Sequence, residues 1–265
     1  MSSPSDSSPR QTVLCLKWGP KYGSEYVNRL YSMVSRNTAR PLRFVCITDD
    51  TAGIRPEVET LPMPEYPLPP QLRFHPFRRM FIFRPTLADL TGNVLHLDLD
   101  LLVTNSIDPF FDYRPELDYC VIENWTQRGE GIGNMSVFRF RVGALTRVWD
   151  RFHPDPLAMR TLYRNSQTFV SRTLGKIEFF PTEWCLSFKH SLVPTWPLNF
   201  FLTPKLPPTA RIVAFTGKPD IDEAQRGEWP TEQDFKKGKQ SAFTRFVKKC
   251  YKHVRPTPWI ADHWR

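Results

Sequence analysis

A chain of 265 residues, 40% hydrophobic and 24% charged, is long enough to bury a full core and has neither a disordered nor a fibrous composition. Its 36 lysines and arginines against 27 acids leave a net charge of +9, which selects anionic partners: nucleotide phosphates, nucleic acid or an acidic membrane surface. Five cysteines without a C-x-x-C pair argue against a zinc knuckle and a disulfide framework, and no run approaches the roughly 18 apolar residues of a membrane span, so a cytoplasmic protein is expected.

Residues 1–11 are a polar Ser/Pro leader, and residues 12–17 then form a short apolar run suited to a buried parallel strand. Gly19, Pro20 and Gly23 break it. From Ser24, a residue fit to cap, Tyr26, Val27, Leu30, Tyr31 and Val34 recur at helical spacing. Residues 42–47 are a second strand ending at Thr48-Asp49-Asp50, so the chain opens as β-α-β, the start of a doubly wound nucleotide-binding sheet. No Gly-rich phosphate loop follows the first strand, which weakens a dinucleotide or NTPase reading. Prolines gather at residues 62–70 and mark a stiff connecting loop; residues 76–83 then begin a helix-like segment that carries Arg78 and Arg79 and runs toward Leu87 and Leu90.

Residues 92–103 are expected as one strand. With a side-chain period of two, Leu95, Leu97, Leu99 and Leu101 share one face while His96, Asp98 and Asp100 share the other. Two uncompensated buried carboxylates would cost roughly several kcal/mol, so they need a cation, hydrogen-bond donors, or a place where the strand emerges into a crevice. An Asp-x-Asp pair is a hard oxygen ligand set suited to Mg²⁺ or Mn²⁺ shared with a phosphate. A polar strand end capping a turn is the blander alternative.

Residues 118–122 and 135–140 read as strands bracketing a loop with Gly129, Gly131 and Gly133. An amphipathic helix follows at 143–153, a helix start at Ser166, and strands at 176–181 and 211–215. In the tail, Phe243, Phe246, Val247, Cys250, Tyr251 and Val254 would share one helical side opposite Arg245, Lys248, Lys249 and Lys252. That helix either lies in the plane of an anionic membrane or packs its apolar side on the domain.

Taken in order, Lys17-Trp18-Gly19-Pro20-Lys21-Tyr22-Gly23, Ile47-Thr48-Asp49-Asp50, Leu95-His96-Leu97-Asp98-Leu99-Asp100, Gly133-Asn134-Met135-Ser136-Val137, the segment at residues 181–189 and Phe215-Thr216-Gly217-Lys218-Pro219 resemble a bacterial glycosyltransferase of the GT-A fold, akin to the retaining family eight enzymes. The resemblance implies an α/β fold with a Rossmann-like, mixed and mostly parallel sheet flanked by helices over residues 12–234, followed by a basic helical tail at 235–265. It implies that Trp18 and Tyr22 hold the nucleotide base near Asp49, that Arg79 reaches the ribose or diphosphate, and that Asn134 and Ser136 line the sugar pocket. Asp98 and Asp100, with Thr216, would bind Mn²⁺ or Mg²⁺. Gln167 would stand beside the anomeric carbon, and Gly217 and Lys218 would face the phosphates, with Lys218 stabilising the leaving diphosphate.

Two positions depart from the pattern. Thr216 stands where relatives carry His, and Ser166 where an Asp would precede Gln167. The expected activity is metal-dependent transfer of a sugar from a nucleotide-diphosphate donor, a UDP sugar, to a cell-surface glycan or lipid-linked saccharide, with retention. A catalytically silent nucleotide-sugar binder and a basic membrane or nucleic-acid adaptor are the alternatives, nucleic acid being the weaker partner. Peripheral attachment to the inner face of the cytoplasmic membrane would fit the tail.

Overall fold

The computed structural model describes residues 10–163, 165–230, 247 and 250–265. Most of the leader and most of the helix expected from Phe243 lie outside these residues, as does the expected boundary between residues 234 and 235. In chain order the regular elements are β1 (Gln11–Lys17), α1 (Ser24–Arg36), β2 (Leu42–Thr48), β3 (Glu59–Pro62), β4 (Asn93–Leu97), β5 (Leu101–Val103) and α2 (Asp108–Asp112). They continue with β6 (Tyr119–Glu123), β7 (Gly133–Arg141), α3 (Thr146–Phe152), α4 (Pro156–Leu162), α5 (Ser166–Leu174) and β8 (Glu178–Phe179). The last are β9 (Cys185–Ser187), β10 (Ile212–Ala214), α6 (Ile221–Arg226) and α7 (Trp259–His263).

The chain divides into two compact units, the first made of Met1–Leu99 with Ser106–Thr182, the second of Asp100–Asn105 with Glu183–Arg265. The first holds a seven-stranded sheet in the order β3-β2-β1-β4-β7-β6-β8. Strands β3, β2, β1 and β4 run parallel, β7 is antiparallel to both β4 and β6, and β8 is parallel to β6. This is the mixed, mostly parallel sheet expected. The chain leaves β1 toward β2 on one side, while β4 lies on the other. The carboxyl ends of β1 and β4 therefore flank a topological switch point, where open α/β sheets bind ligands.

Burial explains these elements. Strands β1 and β2 are covered on both faces, which is why they read as continuous apolar runs. Helix α1 buries Val27, Leu30, Met33 and Val34 at helical spacing, and its N-cap is Gly23, so Ser24 is the first helical residue and not the cap. The segment Pro76–Phe83 is a 3-10 helix that ends before Pro85, not a longer helix reaching Leu90. It drives Phe77 into the core, stacked on Phe152 at 5.8 Å and against Phe169 at 5.7 Å. Cys15, Cys46, Cys120 and Cys185 are buried thiols, as expected of core fillers.

Arg139, fully buried in β7, was not singled out by its sequence context. Its guanidinium donates to the carbonyls of Phe110 at 2.8 Å, Phe111 at 3.3 Å, Tyr113 at 2.5 Å and Arg114 at 2.6 Å, and so ties the α2 segment to the sheet. Burial lowers its pKa from the ordinary arginine value.

The second unit holds a three-stranded sheet in the order β5-β10-β9, with β10 antiparallel to β5 and parallel to β9. This overturns the single strand expected over residues 92–103. Strand β4 ends at Leu97, and β5 begins at Leu101 in a different sheet. The Asp98 amide donates to the Ser136 carbonyl at 2.9 Å, whereas the Asp100 carbonyl accepts from the Phe215 amide at 2.9 Å. A period of two therefore no longer relates the two residues, because the backbone between them leaves one ladder and enters another.

Candidate functional site

At the carboxyl end of β1, Lys17 is almost fully buried and donates from Nζ to the Asp50 carbonyl at 3.0 Å and to Asp50 Oδ2 at 3.5 Å. The Ala52 amide, and secondly Lys17, hold the Asp50 carboxyl below its usual pKa. The chain then turns at Gly19, whose φ of +64° suits glycine and whose Cβ, if present, would lie 2.5 Å from the Phe74 ring. The Gly19 amide donates to both Asp49 oxygens, at 3.3 and 3.2 Å. The Arg78 guanidinium lies 3.9 Å from Asp49 Oδ2. Asp49 thus clasps the loop after β1. Trp18 in that loop packs partly buried on the core, while Tyr22 packs on Tyr26 at 4.8 Å with the Lys21 ammonium 4.4 Å over its ring.

At the end of β4, Asp98 Oδ1 accepts from Arg79 Nη1 at 3.1 Å, and the same nitrogen donates to the Met135 carbonyl at 3.0 Å. Asp98 keeps 25% of its side chain exposed and Arg79 12%, so the pair is sheltered without being sealed. Where β7 passes this point it loses register with β6: Ile122 pairs with Asn134, but Val121 pairs with Phe138. The extra residues form a bulge. Within it Asn134 Oδ1 accepts from the Ser136 amide at 2.9 Å, and both side chains are buried. Asp98, Arg79, Asn134 and Ser136 therefore belong to one hydrogen-bonded cluster built on the bulge. Behind it His96 is fully buried and stacks on Phe138 at 4.6 Å. Burial depresses its pKa to about 3, and neither ring nitrogen has a hydrogen-bond partner among the described residues.

Gln167 lies in the first turn of α5, whose N-cap Asn165 accepts from the Thr168 amide at 2.8 Å. Its Oε1 accepts from Asn124 Nδ2 at 2.9 Å. Asn124, buried just beyond β6, also accepts from the Thr126 amide and hydroxyl at 3.0 and 2.9 Å. This orientation of Gln167 by Asn124 had no signal in the sequence, because the two are brought together only by tertiary packing, with α5 lying against β7.

In the second unit, Lys189 stands on a single π-helical turn, Phe188–Leu192, and donates to the Thr216 carbonyl at 2.6 Å. Gly217 follows with φ of +85°, and a Cβ there would lie 3.7 Å from the Lys189 ammonium. Burial, then Lys252, lowers the pKa of Lys189. Lys218 donates to Asp220 at 2.9 Å and to Glu223, the two acids of the α6 capping box; these contacts, Glu223 first, raise its pKa. Sequence reasoning assigned a cation to Lys218 and none to Lys189, yet Lys189 is the ammonium bonded at Thr216.

Among the described residues no group of three or more His, Cys, Asp or Glu side chains could cage a metal. A divalent ion here would take one or two carboxylates and fill its shell with phosphate and water oxygens. That is the usual way Mg²⁺ is held beside a nucleotide, and the exposed part of Asp98 fits it.

No family model matches the chain, and no curated protein matches it. Solved structures do. The galactosyltransferase LgtC in complex with donor and acceptor sugar analogs is similar with a TM-score of 0.52 at 14% identity, over 80% of this chain and 89% of that one. The glycosyltransferase GlyE of Streptococcus pneumoniae TIGR4 gives 0.56 at 14% identity, over 93% and 66%. The apo bifunctional glycosyltransferase WbbM gives 0.55 at 12%, over 94% and 53%. The fold is therefore that of the GT-A glycosyltransferases.

Proposed function

Proceeding from a GT-A glycosyltransferase fold, we propose that the chain transfers a sugar from a nucleotide-diphosphate donor, a UDP sugar, to a saccharide or lipid-linked acceptor with the help of Mn²⁺ or Mg²⁺. The observation that carries this reading is the Asp98 carboxylate held by Arg79 at the end of β4, beside the switch point of the sheet. LgtC, which shares the fold, is known in complex with donor and acceptor sugar analogs.

In this reading Trp18 offers an aromatic face to the base, and Asp49 holds the loop that presents it. Asp98 supplies the oxygen ligand, and Asp100 follows two residues later in the chain. Asp98 would hold the ion, and Arg79, its present partner, would then pair with the diphosphate. A bound divalent ion would neutralise the charge that builds on the departing diphosphate. Asn134 and Ser136 shape the sugar subsite through the Asn134 side-chain nitrogen and the Ser136 hydroxyl, since Asn134 Oδ1 and the Ser136 backbone amide and carbonyl are already engaged. Gln167, its carbonyl oxygen fixed by Asn124, presents an amide and not a carboxylate, which favours retention by front-face attack over a covalent glycosyl intermediate. For Thr216, Gly217 and Lys218 the reading rests on motif order alone.

The test is a panel of nucleotide sugars with Mn²⁺ or with chelator, read by thermal shift and by release of nucleoside diphosphate. A metal-dependent shift and release with one donor are expected; no metal-dependent shift from any nucleoside diphosphate refutes the reading. The engagement of Lys218 by two carboxylates favours a second reading, a silent sugar binder, which predicts the shift without the release.

A further inference from the structure

The second unit carries a surface that sugar transfer does not explain. Over residues 196–202 the side chains of Trp196, Leu198, Phe200, Phe201 and Leu202 are all exposed, Phe201 by 73% and Trp196 by 61%. Isolated exposed apolar residues are ordinary, but a contiguous set this dense marks an interaction site. The loop is also built to hold them outward. A 3-10 turn at Leu198–Phe200 fixes the backbone, and buried Asn199 between the exposed residues donates from Nδ2 to the carbonyls of Cys250 at 3.0 Å and His253 at 3.1 Å. Phe200 stacks on His253 at 4.3 Å, and Arg255 donates to the Phe200 carbonyl at 3.2 Å. Trp259 pins the exit of the loop through the Pro204 carbonyl at 2.8 Å.

The sequence on either side of it is one-sided in charge. No aspartate or glutamate occurs between Glu183 and Asp220, nor between Asp234 and Asp262, whereas exposed Lys205 and Arg255 and half-buried Lys252 border the apolar set, with Tyr251 exposed beside them. Aromatic and aliphatic side chains ringed by cations match the interface of a bilayer with acidic headgroups, where each cation near the surface strengthens binding about fivefold. A protein partner would be expected to meet acids as well as bases on such a patch. We infer that residues 196–202, with the segment from Cys250 to Arg255, form an edge that inserts into the surface of an anionic membrane.

The test uses the full chain in vesicle flotation, with phosphatidylcholine alone and with phosphatidylcholine doped with phosphatidylglycerol. Flotation with the doped vesicles only, reversed by salt, is expected. Replacing both exposed tips, Phe201→Glu with Leu202→Glu, should weaken partition by at least about tenfold, while Phe201→Trp retains it. Brominated lipid should quench the wild-type fluorescence, and Trp196→Phe should remove most of that quenching while leaving flotation intact. Equal flotation with uncharged vesicles, or unchanged flotation of the double glutamate variant, overturns the inference. So does self-association in sedimentation that the same variant abolishes, because the patch would then be covered by a second copy.

Discussion

Removing the charge of Asp98 tests whether the carboxylate at the end of β4 is held as the structure has it. At 3.1 Å the Arg79–Asp98 attraction is about 5 kcal/mol at an effective dielectric of about 20, before desolvation takes most of it back. An exposed pair retains about 0–1 kcal/mol, and breaking a fully buried one costs about 3–5 kcal/mol; with 12% and 25% exposure this pair lies between. A double-mutant cycle of Arg79→Met and Asp98→Ala should therefore give a coupling energy of about 2 kcal/mol in urea unfolding at constant slope. Asp98→Asn alone should cost less than Arg79→Met, because an amide oxygen still accepts from Arg79, whereas the methionine leaves the Met135 carbonyl and a partly buried carboxylate without their donor. A coupling below about 0.5 kcal/mol would mean that the pair does not persist in solution. Followed in the same variants, the metal-dependent shift with nucleoside diphosphate should vanish in Asp98→Asn. If it survives there, Asp98 is not the ion's ligand, whatever the cycle gives.

Three further outcomes follow from single side chains. Arg139→Met should lower stability by about 3 kcal/mol or more in urea unfolding, since four carbonyls lose a buried cationic donor at once; a loss below about 1 kcal/mol would show that water reaches them. For His96, whose folded pKa is depressed to about 3 from the ordinary 6.5, the unfolded chain takes up a proton below 6.5 that the folded one refuses until about 3. Stability is therefore complete above about 6.5 and falls with pH across that window, by about 3 kcal/mol at about pH 4.5 with no divalent ion added, and His96→Leu should flatten this slope. Gln167→Ala should lower kcat by about a hundredfold with little change in donor binding if the amide acts at the reacting carbon, while Asn124→Ala, which only frees its orientation, should cost less and be measured in the same release assay.

The opening β-α-β unit was legible because each strand is buried on both faces and α1 on one, so burial printed a clear period into the residues. Strand β3 was missed for the opposite reason. As an edge strand, only partly buried and ending in Pro62, it carries no apolar run. The break at Asp98-Leu99-Asp100 was hidden by Leu99, which is buried and keeps the alternation of leucines going through a turn. Asp98, Arg79, Asn134 and Ser136 could be nominated from motif order, but their joining depends on the bulge in β7, and three extra residues in a strand leave no local mark. Lys218 shows another limit. The Asp220 to Glu223 spacing announces a capping box, yet nothing in the spacing says that the box will also claim the lysine just before it. Lys189 is seen beside Thr216 only once β9 and β10 are paired.

The charged groups nominated for donor binding are not waiting with empty hands. In the first unit the Asp98 carboxylate holds Arg79, and Asp49 holds the Gly19 amide; in the second, Lys189 holds a carbonyl and Lys218 two carboxylates. Such pairing keeps partly buried charges from being left uncompensated before a ligand arrives. It also means that a ligand binds by exchanging partners. A cation alone would have to take Asp98 and leave Arg79 stranded, and an anion alone would take Arg79 and strand Asp98. In the proposed reading, a divalent ion arriving together with a diphosphate would satisfy both members of the pair at once, and the metal complex of a nucleoside diphosphate would bind better than either component by itself.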